Sequence, residues 1–220
     1  MPAVETKLTP VMDCRFSAGD RSNSSLLRGS HRSWNRARTR LFEIIRKKSF
    51  SEGDEIRLAS GRTSRFYFNM KPTMMDPEGA ALIARLILDF LKDEPVDYIG
   101  GLEMGAVPIV SSVVPASYID DCSVPGFFVR KKAKEHGTRL RIEGLAAWES
   151  LEGKDVLIVD DVTTTGSSVS DAVKTVRAAG GQVASVLTLV DRGEGAAEAL
   201  AAEGLQLKAL FCAEEFRAAS

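Results

Sequence analysis

The chain has 220 residues, a formal net charge of −1 and 44% hydrophobic residues, which suits one domain with a full core and argues against broad nucleic-acid binding. Cys14, Cys122 and Cys212 are far apart and form no CxxC pair, so neither a zinc knuckle nor a disulfide framework is indicated, and a reducing cytoplasm is the natural compartment. No apolar run reaches the roughly 18 residues that would suggest a membrane span, and residues 2–40 lack the apolar core of a secretory signal.

Residues 1–38 read as a disordered or irregular extension, and residues 39–220 as the folded domain. Ser22 to Ser25, Gly29, Ser30 and Ser33 are mixed with Arg15, Arg21, Arg28, Arg32, Arg36 and Arg38, without a visible hydrophobic period. An organelle transit peptide is the competing reading, and Glu5, Asp13 and Asp20 count against it. From Thr39, the residues Leu41, Phe42, Ile44, Ile45 and Phe50 give a short amphipathic helix. Two strand-like pieces follow, Glu55 to Leu58 and Arg65 to Met70, separated by a small, polar turn. Asp76 caps a helix with Pro77 at its first position, and Leu82, Ile83, Leu86, Ile87, Phe90 and Leu91 make its apolar face.

Strands and helices then alternate. Strands are expected over Asp97 to Gly101, Gly126 to Arg130, Val156 to Val159, Val183 to Val190 and Gln206 to Phe211. Helices are expected over Ala106 to Ala116, Val169 to Ala179 and Gly195 to Glu203. Lys131 to Glu143 reads as a polar, basic loop. This order predicts an α/β fold, a doubly wound parallel sheet, with the early strand pair as a small N-terminal cap subdomain.

The most informative stretch is Asp155 to Ser168. A β-branched strand runs into two adjacent carboxylates, Asp160 and Asp161, then into hydroxyls around Gly166, where a helix begins. Ligands of open α/β sheets bind where strands end and helices begin. Main-chain N–H groups and hydroxyls there can cradle a phosphate at the positive end of the helix. Three readings compete. A capped helix explains Thr165 or Ser167 but not two acids followed by three threonines. A signalling receiver domain also carries a Val-Asp-Asp run after a strand, but too little chain follows Asp161 for its later strands. The third reading is a site for a phosphorylated ribose. No G-x-x-x-x-G-K-[ST] string occurs, and Gly193-Glu194-Gly195 lacks the third glycine of a dinucleotide fingerprint.

Val156 to Ser168 resembles the phosphoribosyl-pyrophosphate (PRPP) motif of type I phosphoribosyltransferases. The resemblance implies that Asp160 and Asp161 hold the ribose 2′- and 3′-hydroxyls. It implies that Val162, Thr163, Thr164, Thr165, Gly166 and Ser167 wrap the 5′-phosphate. Phe128 to Gly137, carrying Arg130, Lys131, Lys132, Lys134 and His136, is similar to the catalytic loop of the orotate phosphoribosyltransferases. Ser60 to Ser64 with Phe66 to Asn69 is similar to their N-terminal substrate segment, and Asp191-Arg192 matches their pattern. Together these segments span about residues 40 to 195.

That family implies transfer of phosphoribose from PRPP to orotate, giving orotidine 5′-phosphate and pyrophosphate on the route to UMP. It assigns catalysis to Lys134, Asp160, Asp161, Arg130 and His136, pyrophosphate contacts to Arg130, Lys131, Lys134 and His136, and orotate contacts to Thr164, Arg192 and the backbone of Tyr67 and Phe68, whose side chains can equally be core. It implies Mg²⁺ as cofactor, with no direct protein ligand assigned. It also implies a homodimer whose basic loop is shared between subunits, and no nucleic-acid or membrane partner. Two departures stand out. Ala59 and Glu103-Met104 occupy positions where many members carry cations, and Lys71 is a nearby cation able to replace part of that charge. A transferase for adenine or uracil, and a non-catalytic sensor of PRPP on the same fold, remain as alternatives.

Overall fold

The computed structural model describes residues 25–57, 63–132 and 141–218, with side chains over 33–53, 65–132 and 141–218. Its centre is a parallel sheet in the order β3-β6-β7-β8 (Tyr98–Gly100, Val156–Thr163, Ser185–Asp191, Gln206–Cys212). Helices cover both of its faces, and the period of two along β6 (Val156–Thr163) shows why. Leu157 and Val159 pack into the cluster formed with α1 (Ser25–Lys48), α3 (Pro77–Leu91) and α4 (Ala106–Ile119). Val156 and Ile158 pack into the other, with Val169, Ala172, Val173 and Val176 of α5 (Ser167–Ala178) and Leu200 of α6 (Ala196–Ala202). The doubly wound sheet expected from the sequence is therefore present.

The expected strand over 126–130 is shorter. Phe128–Val129 (β4) pairs with Ile142–Glu143 (β5) in a small hairpin beneath the basic loop. Parallel bridges from Gly126 to Ile99 and from Val129 to Leu102 lay this segment along β3.

The cap is the antiparallel pair β1 (Phe50–Arg57) and β2 (Thr63–Phe68), followed by the single turn α2 (Lys71–Met74). Phe50 opens β1 instead of closing α1, correcting the helix expected from it. Asp76 caps α3 as expected, accepting from Glu78 N at 3.1 Å and Gly79 N at 2.9 Å.

Helix α1 begins at Ser25, so the boundary expected near residue 38 falls inside a helix. Trp34, Ala37, Leu41, Ile44 and Ile45 make a stripe facing the core, which a search dominated by arginine and serine content overlooks. Arg38 donates from Nε to the Leu210 carbonyl at 3.0 Å, pairs with Glu215 at 2.7 Å and lies 4.5 Å over the Phe211 ring. Residues 1–24 lie outside the described residues. Among the described residues no helix is long and apolar enough to cross a membrane.

Cap and sheet are joined through Phe216 of a short final helix, α7 (Ala213–Arg217). Its buried ring stacks on Phe42 at 4.4 Å, meets Phe68 edge-on at 5.1 Å and contacts Phe50 and Phe211 at 5.7 Å each. Aromatic pairs add to the burial of area. Phe216→Ala is expected to cost about 3–5 kcal/mol, read as a lowered midpoint in urea unfolding. A midpoint equal to wild type would show that the cap docks without this ring.

Candidate active site

Asp160 and Asp161 stand at the carboxyl end of β6, between β3 and β7. Asp160 is buried, and its Oδ1 accepts from the main-chain N–H of Asp161 at 3.1 Å. Gly105, at the start of α4, lies against both acids. A Cβ there would fall 2.5 Å from Asp161 Oδ1 and 2.8 Å from Asp160 Oδ1, so a side chain at Gly105 would push the carboxylates aside.

Burial pushes the Asp160 carboxyl well above the usual carboxylate range, and the neighbouring Asp161 charge pushes it further. Asp161 is also raised by burial, while the Lys71 charge acts in the opposite direction. The charge of Lys131 acts likewise on Asp160. Two pressed carboxylates lacking full compensation suit a ligand that brings hydroxyl donors or positive charge. Among the described residues no group of three or more His, Cys, Asp or Glu side chains is arranged to hold a metal ion. A cation here would need further oxygens from substrate or water.

Beyond the acids the chain turns through Thr164 and Thr165 to Gly166, whose φ of 80° is left-handed, and α5 starts at Ser167. Ser167 and Ser168 are exposed at that helix end, and Thr165 Oγ1 lies 3.5 Å from Ser167 Oγ. A left-handed glycine leading into a helix start with exposed hydroxyls is a geometry able to receive an anion. Thr163 differs from its neighbours: its side chain is buried, its hydroxyl has no hydrogen-bond partner, and its main chain is paired with β7.

Arg192 follows β7, hydrogen-bonded through its main-chain N–H to the Thr163 carbonyl at 3.0 Å. Its guanidinium is buried 4.3 Å over the Phe66 ring. Phe66 was not among the expected orotate contacts; its place one residue before Tyr67 on the cap strand was the available signal. Tyr67 is exposed, whereas the Phe68 ring belongs to the core around Phe216, so only its main chain is available to a ligand.

Arg130 reaches toward Glu143 at 3.7 Å, across the hairpin at the base of the basic loop. Glu103 Oε1 accepts from the main-chain N–H of Lys131 at 2.9 Å. The acid found where a cation is usual thus holds the loop's first residue. Arg141 donates from Nε to the Arg130 carbonyl at 2.9 Å and forks onto Asp171 of α5, a pairing that sequence inspection missed. Lys134, His136, Ala59 and the segment 58–62 lie outside the described residues.

Comparison with known proteins agrees with this geometry. Residues 75–207 match the family described as phosphoribosyl transferase domain. The chain belongs to the phosphoribosyltransferases. It is 59% identical over 180 residues to the orotate phosphoribosyltransferase of Bradyrhizobium sp. (strain ORS 278), covering 82% of this chain and 97% of that one. The crystal structure of orotate phosphoribosyltransferase from Mycobacterium tuberculosis H37Rv with Fe(III) dicitrate superposes with a TM-score of 0.70 at 36% identity, covering 82% of this chain and 98% of that one. The same enzyme in complex with PRPP gives 0.67 at 32% identity, over 82% and 99%. Within the phosphoribosyltransferases, the chain falls among the orotate enzymes.

Because native Asp160 holds its proton to higher pH than the unfolded chain does, the unliganded protein loses stability as pH rises from about 4, where an ordinary aspartate ionises. Asp160→Asn removes that charge. It is expected to raise the thermal midpoint of the unliganded protein at pH 8, with the gain shrinking toward pH 4, while lowering kcat at least about a hundredfold. Equal midpoints for variant and wild type at pH 8 would mean that the native carboxyl is not strained.

Proposed function

We propose that the chain transfers the 5-phosphoribosyl group of PRPP to N1 of orotate, giving orotidine 5′-phosphate and pyrophosphate in UMP synthesis. The observation that carries this reading is the Asp160-Asp161 pair, buried at Asp160 and half-buried at Asp161, beside a hydroxyl-lined helix start, with the buried Arg192 cation one strand away. The first two suit a ribose 5-phosphate, and the third suits a carboxylate-bearing acceptor.

In this reaction the N1–C1 bond forms as the C1–O bond to pyrophosphate breaks. Pyrophosphate leaves with the electron pair, and the N1 proton is released. Positive charge grows on the ribose and negative charge on the leaving group. Asp160 and Asp161 orient the ribose hydroxyls and put negative charge near C1. Main-chain N–H groups of Thr164 to Ser167 and the hydroxyls of Thr164, Thr165 and Ser167 hold the 5′-phosphate. Val162 and Thr163 contribute main chain. Arg130 and Lys131, with Lys134 and His136, meet the pyrophosphate. Arg192, Thr164 and Tyr67, with the Phe68 main chain, receive the orotate.

Magnesium fits the donor set as an ion arriving with PRPP, with Asp160 and Asp161 the residues that would face it. When bound, it neutralises charge on the departing pyrophosphate. The reading includes a homodimer, with the basic loop completing the neighbouring subunit's site. Association is supported by Tyr118 and Ile119 at the end of the mostly apolar α4, each 77% exposed, since large exposed apolar side chains side by side suit a covered surface. The cytoplasm is the compartment proposed for the enzyme.

The direct test follows loss of orotate absorbance with PRPP and Mg²⁺, using adenine and uracil as parallel acceptors. Turnover with orotate is expected. Turnover with adenine or uracil alone, or with none of the three, would overturn the proposal. Lys71 is proposed to replace part of the cationic charge absent at Glu103-Met104, supported by its charge acting on Asp161. Lys71→Ala is expected to reduce kcat/KM for PRPP about tenfold. Unchanged kcat and KM would remove Lys71 from the substrate's surroundings.

A further inference from the structure

Arg192 retains only 2% of its side-chain exposure. A cation so far from water needs a counter-charge and a full set of acceptors. Glu194, two residues further on, supplies the charge: Arg192 Nε donates to its Oε1 at 2.7 Å. The turn is built to allow this contact. Gly193 and Gly195 flank Glu194 with left-handed φ values of 69° and 95°, and Gly193 N donates to Asp191 Oδ1 at 3.0 Å. Those two glycines fold the chain back so that residue 194 faces residue 192. On the cap side, the Phe66 ring lies under the guanidinium, and Arg192 NH1 approaches the Phe66 carbonyl at 3.5 Å. Carboxylate, ring and carbonyl together fix the guanidinium in place and in plane.

We infer that Glu194 is a positioning residue for the acceptor substrate: by holding the Nε edge of Arg192, it sets the plane of the guanidinium that meets the acceptor's carboxylate. This inference rests on the orotate reading above. Position distinguishes the pair from a purely structural ion pair. It sits at the carboxyl end of β7, hydrogen-bonded through the Arg192 main chain to Thr163, at the strand ends where ligands of such sheets bind. A guanidinium meets a carboxylate well only when both planes are aligned, so a wandering Arg192 would hold orotate poorly even with its charge intact. The opposite role, in which Glu194 competes with orotate for Arg192, predicts an effect of opposite sign.

Steady-state kinetics of wild type, Glu194→Ala and Glu194→Gln decide between them, with thermal unfolding as a check on folding. Glu194→Ala is expected to raise the orotate KM about tenfold while leaving the PRPP KM within about twofold. Glu194→Gln, whose amide oxygen still accepts from Nε, is expected to recover most of the loss. If Glu194→Ala does not fold, Glu194→Asp replaces it. That carboxylate is one methylene further back, and the same selective rise in orotate KM is expected. An orotate KM that falls or stays unchanged, or a rise shared equally by both substrates, overturns the inference while wild-type turnover of orotate keeps the parent reading standing. Wild type that does not use orotate at all overturns both.

Discussion

The constraint on which the site depends is the crowding of two adjacent carboxylates, Asp160 buried and Asp161 half-buried, toward the end of an interior strand. Because β6 lies between β3 and β7, the end of this strand is walled on both sides. The wall is drawn close by small residues: a Cβ at Gly101 would fall 2.2 Å from the Val159 carbonyl, and one at Gly105 would collide with the acids. Such a site is paid for in the stability of the empty protein, since burial and mutual repulsion both oppose ionisation. Hydroxyl donors or a cation would relieve what the protein leaves uncompensated, which is what supports the proposed ribose site.

The cap matters because it delivers side chains to that site. Phe66 lies on β2, and Lys71 begins the next turn. Both are placed by a sub-structure touching the sheet mainly through aromatic rings around Phe216 and through Arg38 on α1. The stacking of Arg192 on Phe66 is a contact between cap and sheet as well as part of the proposed acceptor site. Docking of the cap and placement of the Arg192 guanidinium are consequently one problem: a shift of β2 moves the surface against which Arg192 lies.

Features repeating at a short period were legible in the sequence. The β-branched run of β6, the capped start of α3 at Asp76-Pro77 and the stripe of α5 follow from local spacing, and the structure agrees on each. The carboxylate-hydroxyl turn was legible because few folds need two acids followed by three threonines. Features created by distant partners were not. Residues 25–38 read as irregular because their apolar positions are sparse, and the surfaces covering Trp34 and Ala37 come from elsewhere in the chain. Whether the Tyr67 and Phe68 side chains are core stayed open because a strand sequence does not say which face meets a helix, and Phe216 decides it for Phe68 from 148 residues away. The pairing of Arg141 with Asp171 is equally non-local.

Glu103 shows how a departure from a family pattern is absorbed. A carboxylate in a loop next to a pyrophosphate would be unfavourable if it faced the substrate. Here it accepts from the main-chain N–H of Lys131, and its own N–H donates to the Val129 carbonyl at 2.8 Å. The acid is thereby committed to the strand that leads into the basic segment. Arg141 binds the other strand of that hairpin to the Arg130 carbonyl and to Asp171 on α5. The entry and exit of the basic segment are therefore tied to the two walls of the site, the α4 loop and α5. Positive charge near the acids then comes from Lys71 and Lys131, each acting on one of them. With Glu103 bonded to the loop's main chain, the cations acting on the two acids are Lys71 on the cap side and Lys131 at the base of the loop, which is what supports their proposed part in binding pyrophosphate.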